Sequence, residues 1–279
     1  MISTRFLNMV TLRSYLLILL LAPLCLFAQQ EKVNSVTTQS VIAPADHLNQ
    51  TDKQGKKQGQ WLKKYSNGKT RYSGSFKDDL PVGKFEYFYE TGIRKAIITH
   101  VKSGISSVAE MYDEKGSLQA RGFYYQTEKD SLWVYYNNAK KRVTEERYRR
   151  GIPSGKWINY YPADSTIARY VIYRNGKKEG VMVEYFENQQ VKQELFFVLD
   201  SLEGPAKGFY PTGQVSYTGF YKGDLQDGEW LYYTDSGQLK RKEIYQRGEL
   251  IKEDILIPDV EEKPKPVNPS EDPALEFQQ

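Results

Sequence analysis

From about residue 57 onward, apolar and polar side chains alternate in short runs, and each run ends at a cluster of Gly, Asn, Asp or Ser. In Lys84-Phe85-Glu86-Tyr87-Phe88-Tyr89 the alternation is strong, Glu90-Thr91-Gly92 interrupts it, and the stretch from Ile93 to His100 returns. A period of two sends successive side chains to opposite faces of a strand, so this segment reads as strand, turn, strand. Ser66-Asn67-Gly68 and Asp235-Ser236-Gly237 mark the same reversal elsewhere. Glycine and asparagine suit it because a tight hairpin needs positive φ at one or two positions. Longer turn-rich connections, such as Lys77 to Val82 and Lys222 to Asp227, are expected to join one hairpin to the next.

The runs recur on one ruler. Trp61 and Trp133 lie 72 residues apart, Trp133 and Trp157 lie 24 apart, and Trp157 and Trp230 lie 73 apart, so a 24-residue period with one inserted residue holds all four. Starting two residues before each Trp, units begin at Gly59, Gly83, Ser107, Ser131, Gly155, Gly180, Gly204 and Gly228. Six of these eight starts are glycine and five units carry a second glycine nine residues later, which supports the period independently of tryptophan. The inserted residue is expected in the turn from Pro162 to Thr166, because turns tolerate insertions. Three units depart from the pattern. Ala109 stands where an aromatic is expected, and Asn138-Ala139 and Asn188-Gln189-Gln190 stand where the turn glycine is expected, which leaves the hairpin geometry of these middle units open.

The fold class that follows is all-β, an elongated twisted antiparallel sheet or β-solenoid of about eight tandem hairpins with strands paired in chain order. Sixteen strands at ~4.8 Å spacing would extend roughly 75 Å, which favours a ribbon over a compact globule. The edge strands of such a sheet need protection, from the leader or from the terminal unit.

Composition agrees, with 22 tyrosines and with Ala and Leu sparse beyond the first 30 positions. Arg5 and Arg13 precede an apolar run from Tyr15 to Leu21 that continues to Ala28, the pattern of a secretory signal with a mature chain starting near Gln29. The run contains Pro23 and is short for a span of ~20 apolar residues, so cleavage is favoured over anchoring. The only cysteine, Cys25, lies within it, and processing would leave no thiol. The expected organisation is a signal peptide at 1–28, a flexible polar leader at 29–58, eight repeats at 59–254, and a disordered Pro-rich tail at 255–279. The expected location is the periplasm or outer cell surface of a Gram-negative-type bacterium. Removing the signal takes away two cations and no acid, lowering the formal charge from +4 to +2. So small a charge gives no basic stripe, and no nucleic-acid partner is expected.

The segments Tyr72-Ser73-Gly74-Ser75-Phe76-Lys77 through Gly83, and Tyr217-Thr218-Gly219-Phe220-Tyr221-Lys222-Gly223 through Trp230, resemble the Tyr-x-Gly-x-Phe/Trp-x-x-Gly core of MORN repeats. The resemblance is closest to the bacterial MORN-repeat variant, often labelled YwqK-type antitoxin-like. It implies a β-hairpin ribbon used for protein assembly and in some cases for lipid contact. An antitoxin-like partner of a toxin is a further implication, one that an exported protein fits awkwardly.

Two aromatic series are the candidate chemistry. At position +2 of the unit stand Trp61, Phe85, Trp133, Trp157 and Trp230, expected to form the structural core of the repeat on one face. Phe88, Tyr136, Tyr160, Tyr185, Phe209 and Tyr233 are expected on the opposite face, where they serve either as a binding surface or as ordinary β-surface residues. The strand ends carry Tyr65, Tyr89, Tyr161, Phe186 and Tyr210. Basic clusters at Arg142, Arg147, Arg149, Arg150 and at Lys240 to Lys242 are interrupted by Glu145, Glu146 and Glu243, which favours cross-strand ion pairs. The two histidines, His47 and His100, have no neighbours suited to a metal or nucleophile site, and no phosphate loop or nucleophile elbow occurs. The expectation is a non-enzyme without cofactor or metal, holding a protein partner of unknown identity, with a glycan or an anionic lipid as the alternative.

Overall fold

The computed structural model of the protein describes residues 47–102 and 104–258. Among the described residues there are 21 strands and no α-helix, and every pairing is antiparallel, between strands that follow one another or are separated by one two-residue strand. Sixteen strands build the eight expected hairpins, from Lys57–Lys64 with Thr70–Lys77 to Gly228–Tyr233 with Leu239–Gln246. Gln50–Thr51 pairs on one edge and Glu249–Ile255 on the other, and among the described residues these two edges do not join, so the sheet is open. The two-residue strands Ile152–Pro153, Ser201–Leu202 and Leu225–Gln226 each lead into a unit whose first strand a bulge interrupts. The expected signal peptide and nearly all of the expected tail lie outside the described residues.

Two expectations need correction. Gln50–Thr51 pairs with Lys57 and Gln58, and Asn49 both donates its amide to Gln60 O at 2.8 Å and accepts from Leu62 N at 2.8 Å. Residues 49–58, read as part of a flexible leader, therefore blunt the first sheet edge. The connections between hairpins are also shorter than expected. Asp78 and Asp79 take φ of 53° and 66°, and Asn175 and Gly176 take 50° and 84°, so each connection is a two-residue mirror-image turn whose twist matches the flanking strands. The strand resumes at once, as in Leu80–Phe88. Aspartates in these turns also tie successive units together, with Lys57 N donating to Asp79 Oδ1 at 2.8 Å and Leu202 N to Asp224 Oδ1 at 2.7 Å.

The hairpin turns are uniform. Tyr65 N donates to Lys69 O, and six further hairpins repeat this four-residue span. In the unit from Gly155 the span is five, Tyr161 N to Thr166 O at 2.8 Å, which puts the inserted residue in the expected turn. The open question about the middle units is settled by backbone conformation. Gly68 and Gly92 hold φ of 80° and 90°, and at the equivalent position Lys140 and Gln189 hold 59° and 64°. The turn is kept without glycine, at a strain of order 1 kcal/mol per residue.

One buried layer organises the sheet. Position +15 of a unit meets position +2 of the next, and the two are complementary in size. Gly74 lies under Phe85, Gly122 under Trp133 and Gly219 under Trp230. Where +2 is small the bulk moves to the partner, with Ala109 beside Ile98 and Ala206 matched to Leu195. Phe85, Ala109, Trp133, Leu195, Ala206 and Trp230 are all buried. Pairing of Ser73 with Glu86 and of Ser75 with Val82 leaves Gly74 alone opposite Gly83 to Phe85, and this bulge lays the ring flat on the glycine backbone.

Candidate interaction surfaces

The buried face contains more rings than position +2 supplies. Position +17 is aromatic in all eight units: Phe76, His100, Tyr124, Tyr148, Tyr173, Phe197, Tyr221 and Tyr245. These rings pack edge-on against the +2 rings, with Phe76 5.1 Å from Phe85, Tyr124 4.9 Å from Trp133, and Tyr221 5.0 Å from Trp230. Two layers of rings thus shield one face of a single sheet without a second sheet. This series escapes a reading anchored on tryptophan, although its own 24-residue spacing is as regular.

Three of the four tryptophans keep equivalent indole contacts, while Trp61 donates to Gln58 O at 3.1 Å. The indoles of Trp133, Trp157 and Trp230 donate to the carbonyls of Phe123, Arg147 and Phe220, each ten residues back. Burial is unequal. Trp133 and Trp230 are buried, while Trp61 and Trp157 are only partly so. Trp61 belongs to the first unit and has no preceding hairpin to cover it. Trp157 meets Glu146 at the +15 position, where a carboxylate replaces the glycine found under Trp133.

Glu146 and Glu243, two of the acids expected to form ion pairs, both stand at +15 and are buried, which the sequence did not indicate. Each sits among phenols with a cation beside it. Tyr148 donates to Glu146 at 2.7 Å, and Lys129 Nζ lies 3.9 Å away, 2.6 Å from Tyr135 Oη and about equally near the rings of Trp133, Tyr135 and Tyr148. Tyr245 donates to Glu243 at 3.0 Å, and Arg241 Nε lies 3.2 Å from Glu243. Burial, reinforced by the neighbouring carboxylate, pushes Tyr245 up to about 12 and raises Tyr135, Tyr148 and Tyr232 as well. Two equivalent polar knots therefore close off two stretches of the aromatic layer.

The second aromatic series lies on the outer face, at position +5. Tyr160 sits beside the Arg142–Glu145 pair, with the guanidinium 4.9 Å from its ring, and Tyr185 lies 6.4 Å from Tyr170. Phe88, Tyr136, Tyr185, Phe209 and Tyr233 are half-buried, but Tyr160 is buried at 8%, so it is not the accessible residue it was expected to be. Tyr112 belongs to the same series and was overlooked. The strand-end tyrosines have a structural task. Tyr65, Tyr89, Tyr161 and Tyr210 each donate the hydroxyl to the +5 carbonyl of the next unit, at 2.7, 2.8, 2.6 and 2.7 Å.

Most outer-face cations are paired, as in Arg142 with Glu145 at 2.7 Å and Arg94 with Glu86 at 3.0 Å, and Lys242 also pairs with Glu229. One stretch differs. Val181 pairs with Phe196 and Pro205 with Phe220, Ile172 flanks Gly180, and Phe196 flanks Gly204, so the ladder is apolar across three hairpins. Phe196 and Phe220 remain 40% and 42% exposed, and Val198 and Leu199 extend the patch.

Among the described residues no cluster of three His, Cys, Asp or Glu side chains could hold a metal ion. His100 packs 5.4 Å from Phe85, and burial lowers its affinity for a proton.

In comparisons with known proteins, the model of the MORN repeat variant matches residues 202–222 and 226–247. The stretch from Tyr217 through Trp230 falls largely within these matches, and the one from Tyr72 through Gly83 falls outside them. No curated protein matches the chain. Among solved structures, a mutant of S. aureus TarM in complex with fondaparinux, alpha-GlcNAc-glycerol and UDP aligns at 18% identity over 35% of this chain, with a TM-score of 0.27. A second TarM crystal structure aligns at 19% identity over 34% of this chain, also at 0.27. The chain spans 19% of the length of each, and at that TM-score the likeness carries no argument.

Proposed function

We propose that this chain is an exported, non-enzymatic scaffold of the cell envelope that holds a protein partner on the outer face of its later hairpins. The observation that supports the reading is the apolar ladder of Ile172, Val181, Phe196, Pro205 and Phe220. A glycan site calls for rings flanked by free hydrogen-bonding groups, whereas a protein interface calls for a continuous apolar patch with a polar rim. MORN-type repeats at 202–247 agree with an interaction module. Export rests on the apolar run ending at Ala28. The antitoxin-like role attached to the YwqK-type variant sits poorly with export and forms no part of this proposal.

A photo-crosslinking residue placed at position 220 should give one discrete protein adduct in the envelope fraction, and one placed at 84, on the ion-paired part of the outer face, should not. Exchange of Phe196 and Phe220 for Ser should abolish the adduct formed from a neighbouring position, 218, with little change in stability, because both rings are already two-fifths exposed. Equal adducts from positions 84 and 220 would sink the reading. Recovery of the envelope form with Met1 intact, instead of a terminus near Gln29, would sink the export claim.

A further inference from the structure

The rings of the inner face are interrupted twice, by a polar stretch through Thr144, Asn159, Arg169, Glu184 and Gln193 and by an apolar one at Ala96, Met111 and Ala120. Along the ladder of positions +4 and +13, Tyr72 faces Tyr87 at a ring separation of 6.0 Å, but Tyr87 then pairs with Ala96, and Met111 with Ala120. Without rings at these alanines, an open groove of about 390 Å³ forms over Ala96, Ile98 and Met111. Tyr65 and Tyr89 line its wall. Their hydroxyls are already committed, to Phe88 O at 2.7 Å and Tyr112 O at 2.8 Å, and the Tyr112 hydroxyl donates to Glu110 at 2.9 Å. Tyr65 and Tyr89 therefore offer ring carbon instead of hydrogen-bonding groups, and Tyr87 adds a further ring to the lining.

The charged groups that line this groove are Arg71 and Lys95, at the same position in successive units. The Arg71 guanidinium lies 5.8 Å from the Tyr65 ring centre, and the Lys95 ammonium lies 5.4 Å from that of Tyr89. Among the described residues neither has a carboxylate partner, whereas Arg94, Arg121 and Arg142 on the outer face each have one. Of the two acids in the adjoining turn, Asp113 is engaged by the amides of Lys115 and Ser117 at 2.9 and 2.8 Å, and Glu114, near enough to help raise the Tyr89 phenol, makes no ion pair with either cation. An apolar floor with two unneutralised cations at its rim is complementary to an apolar body carrying a negative charge.

We propose that this groove binds a soluble amphipathic anion, with alkyl or aryl carbon lying on Ala96 and Ile98 and a carboxylate-like head held by Arg71 and Lys95. The site is on the face opposite the apolar ladder and stands or falls independently of the scaffold reading. Calorimetric titration of the full chain with decanoate should show saturable binding at least tenfold tighter than that of decanol. The double variant Arg71→Gln, Lys95→Gln should lose that preference with an unchanged circular dichroism spectrum, since both side chains are exposed. Ala96→Phe, which fills the floor, should weaken both ligands at least tenfold. No saturable decanoate binding, or an undiminished preference in the double variant, would overturn the proposal. So would capture of the protein by phosphatidylglycerol vesicles in the absence of free-decanoate binding, which would assign the two cations to a membrane surface.

Discussion

Replacing Gly219 by Ala adds one methyl group at a place where the backbone already touches a ring. A Cβ there would lie 2.2 Å from Trp230 Cδ2 and 2.3 Å from Cε2, well inside contact distance. The indole cannot simply step aside. It is fully buried, lies 5.7 Å from Tyr217 and 5.0 Å from Tyr221, and donates to Phe220 O at 3.2 Å. If the ring and strand shift together, the cost is that of overpacking, ~1–3 kcal/mol. If the ring is expelled, the cost approaches that of deleting it, ~3–5 kcal/mol. The expected destabilisation is therefore about 2–4 kcal/mol. In a Trp230→Ala background the same methyl has room, and its cost should fall below ~0.5 kcal/mol, which makes the pair strongly non-additive. Urea unfolding of all four chains measures the cycle. Hydrogen exchange in Val215–Lys222 is needed beside it, because a repeat array can open unit by unit. Gly219→Ala within ~0.5 kcal/mol of the parent, or equally costly with and without Trp230, would refute the argument that ring and glycine form one packing unit.

Trp157→Ala should destabilise by clearly less than Trp133→Ala, for which ~3–5 kcal/mol is expected, because Trp133 is 1% exposed and Trp157 only partly buried; thermal unfolding of the two variants ranks them. Gln189→Gly should stabilise by up to ~1 kcal/mol, since Gln189 holds φ of 64°, whereas Gly92→Ala, at φ of 90°, should destabilise; denaturation midpoints decide both. Stability should fall steeply in alkali. Burial holds Tyr245 up near 12, above its unfolded value of about 10, so its contribution is complete below pH ~10 and is lost as pH rises toward 12. Tyr245→Phe should flatten that fall when phenolate absorbance and unfolding are followed together, and an unchanged slope would show that the phenol titrates freely.

The amino-acid sequence alone carries the period, the eight hairpins and the place of the extra residue, because each depends on local rules. Alternation selects strands, and a residue able to hold positive φ selects the turn, whether it is Gly68 or, less comfortably, Gln189. The outer placement of the +5 aromatics follows from the same pleat. Tertiary structure decided what those surfaces can do. Whether a +2 ring is buried depends on a residue eleven positions earlier in a different hairpin, glycine before Trp133 and Glu146 before Trp157, and only the cross-unit register brings the two together. The same register turns Val181, Phe196, Pro205 and Phe220 into one exposed ladder. It also turns the absence of a ring at Ala96 into a groove beneath two unpaired cations. Volume and charge are compared across strands rather than along the chain, so a pattern read one strand at a time records the side chains but not the neighbours that bury, pair or expose them.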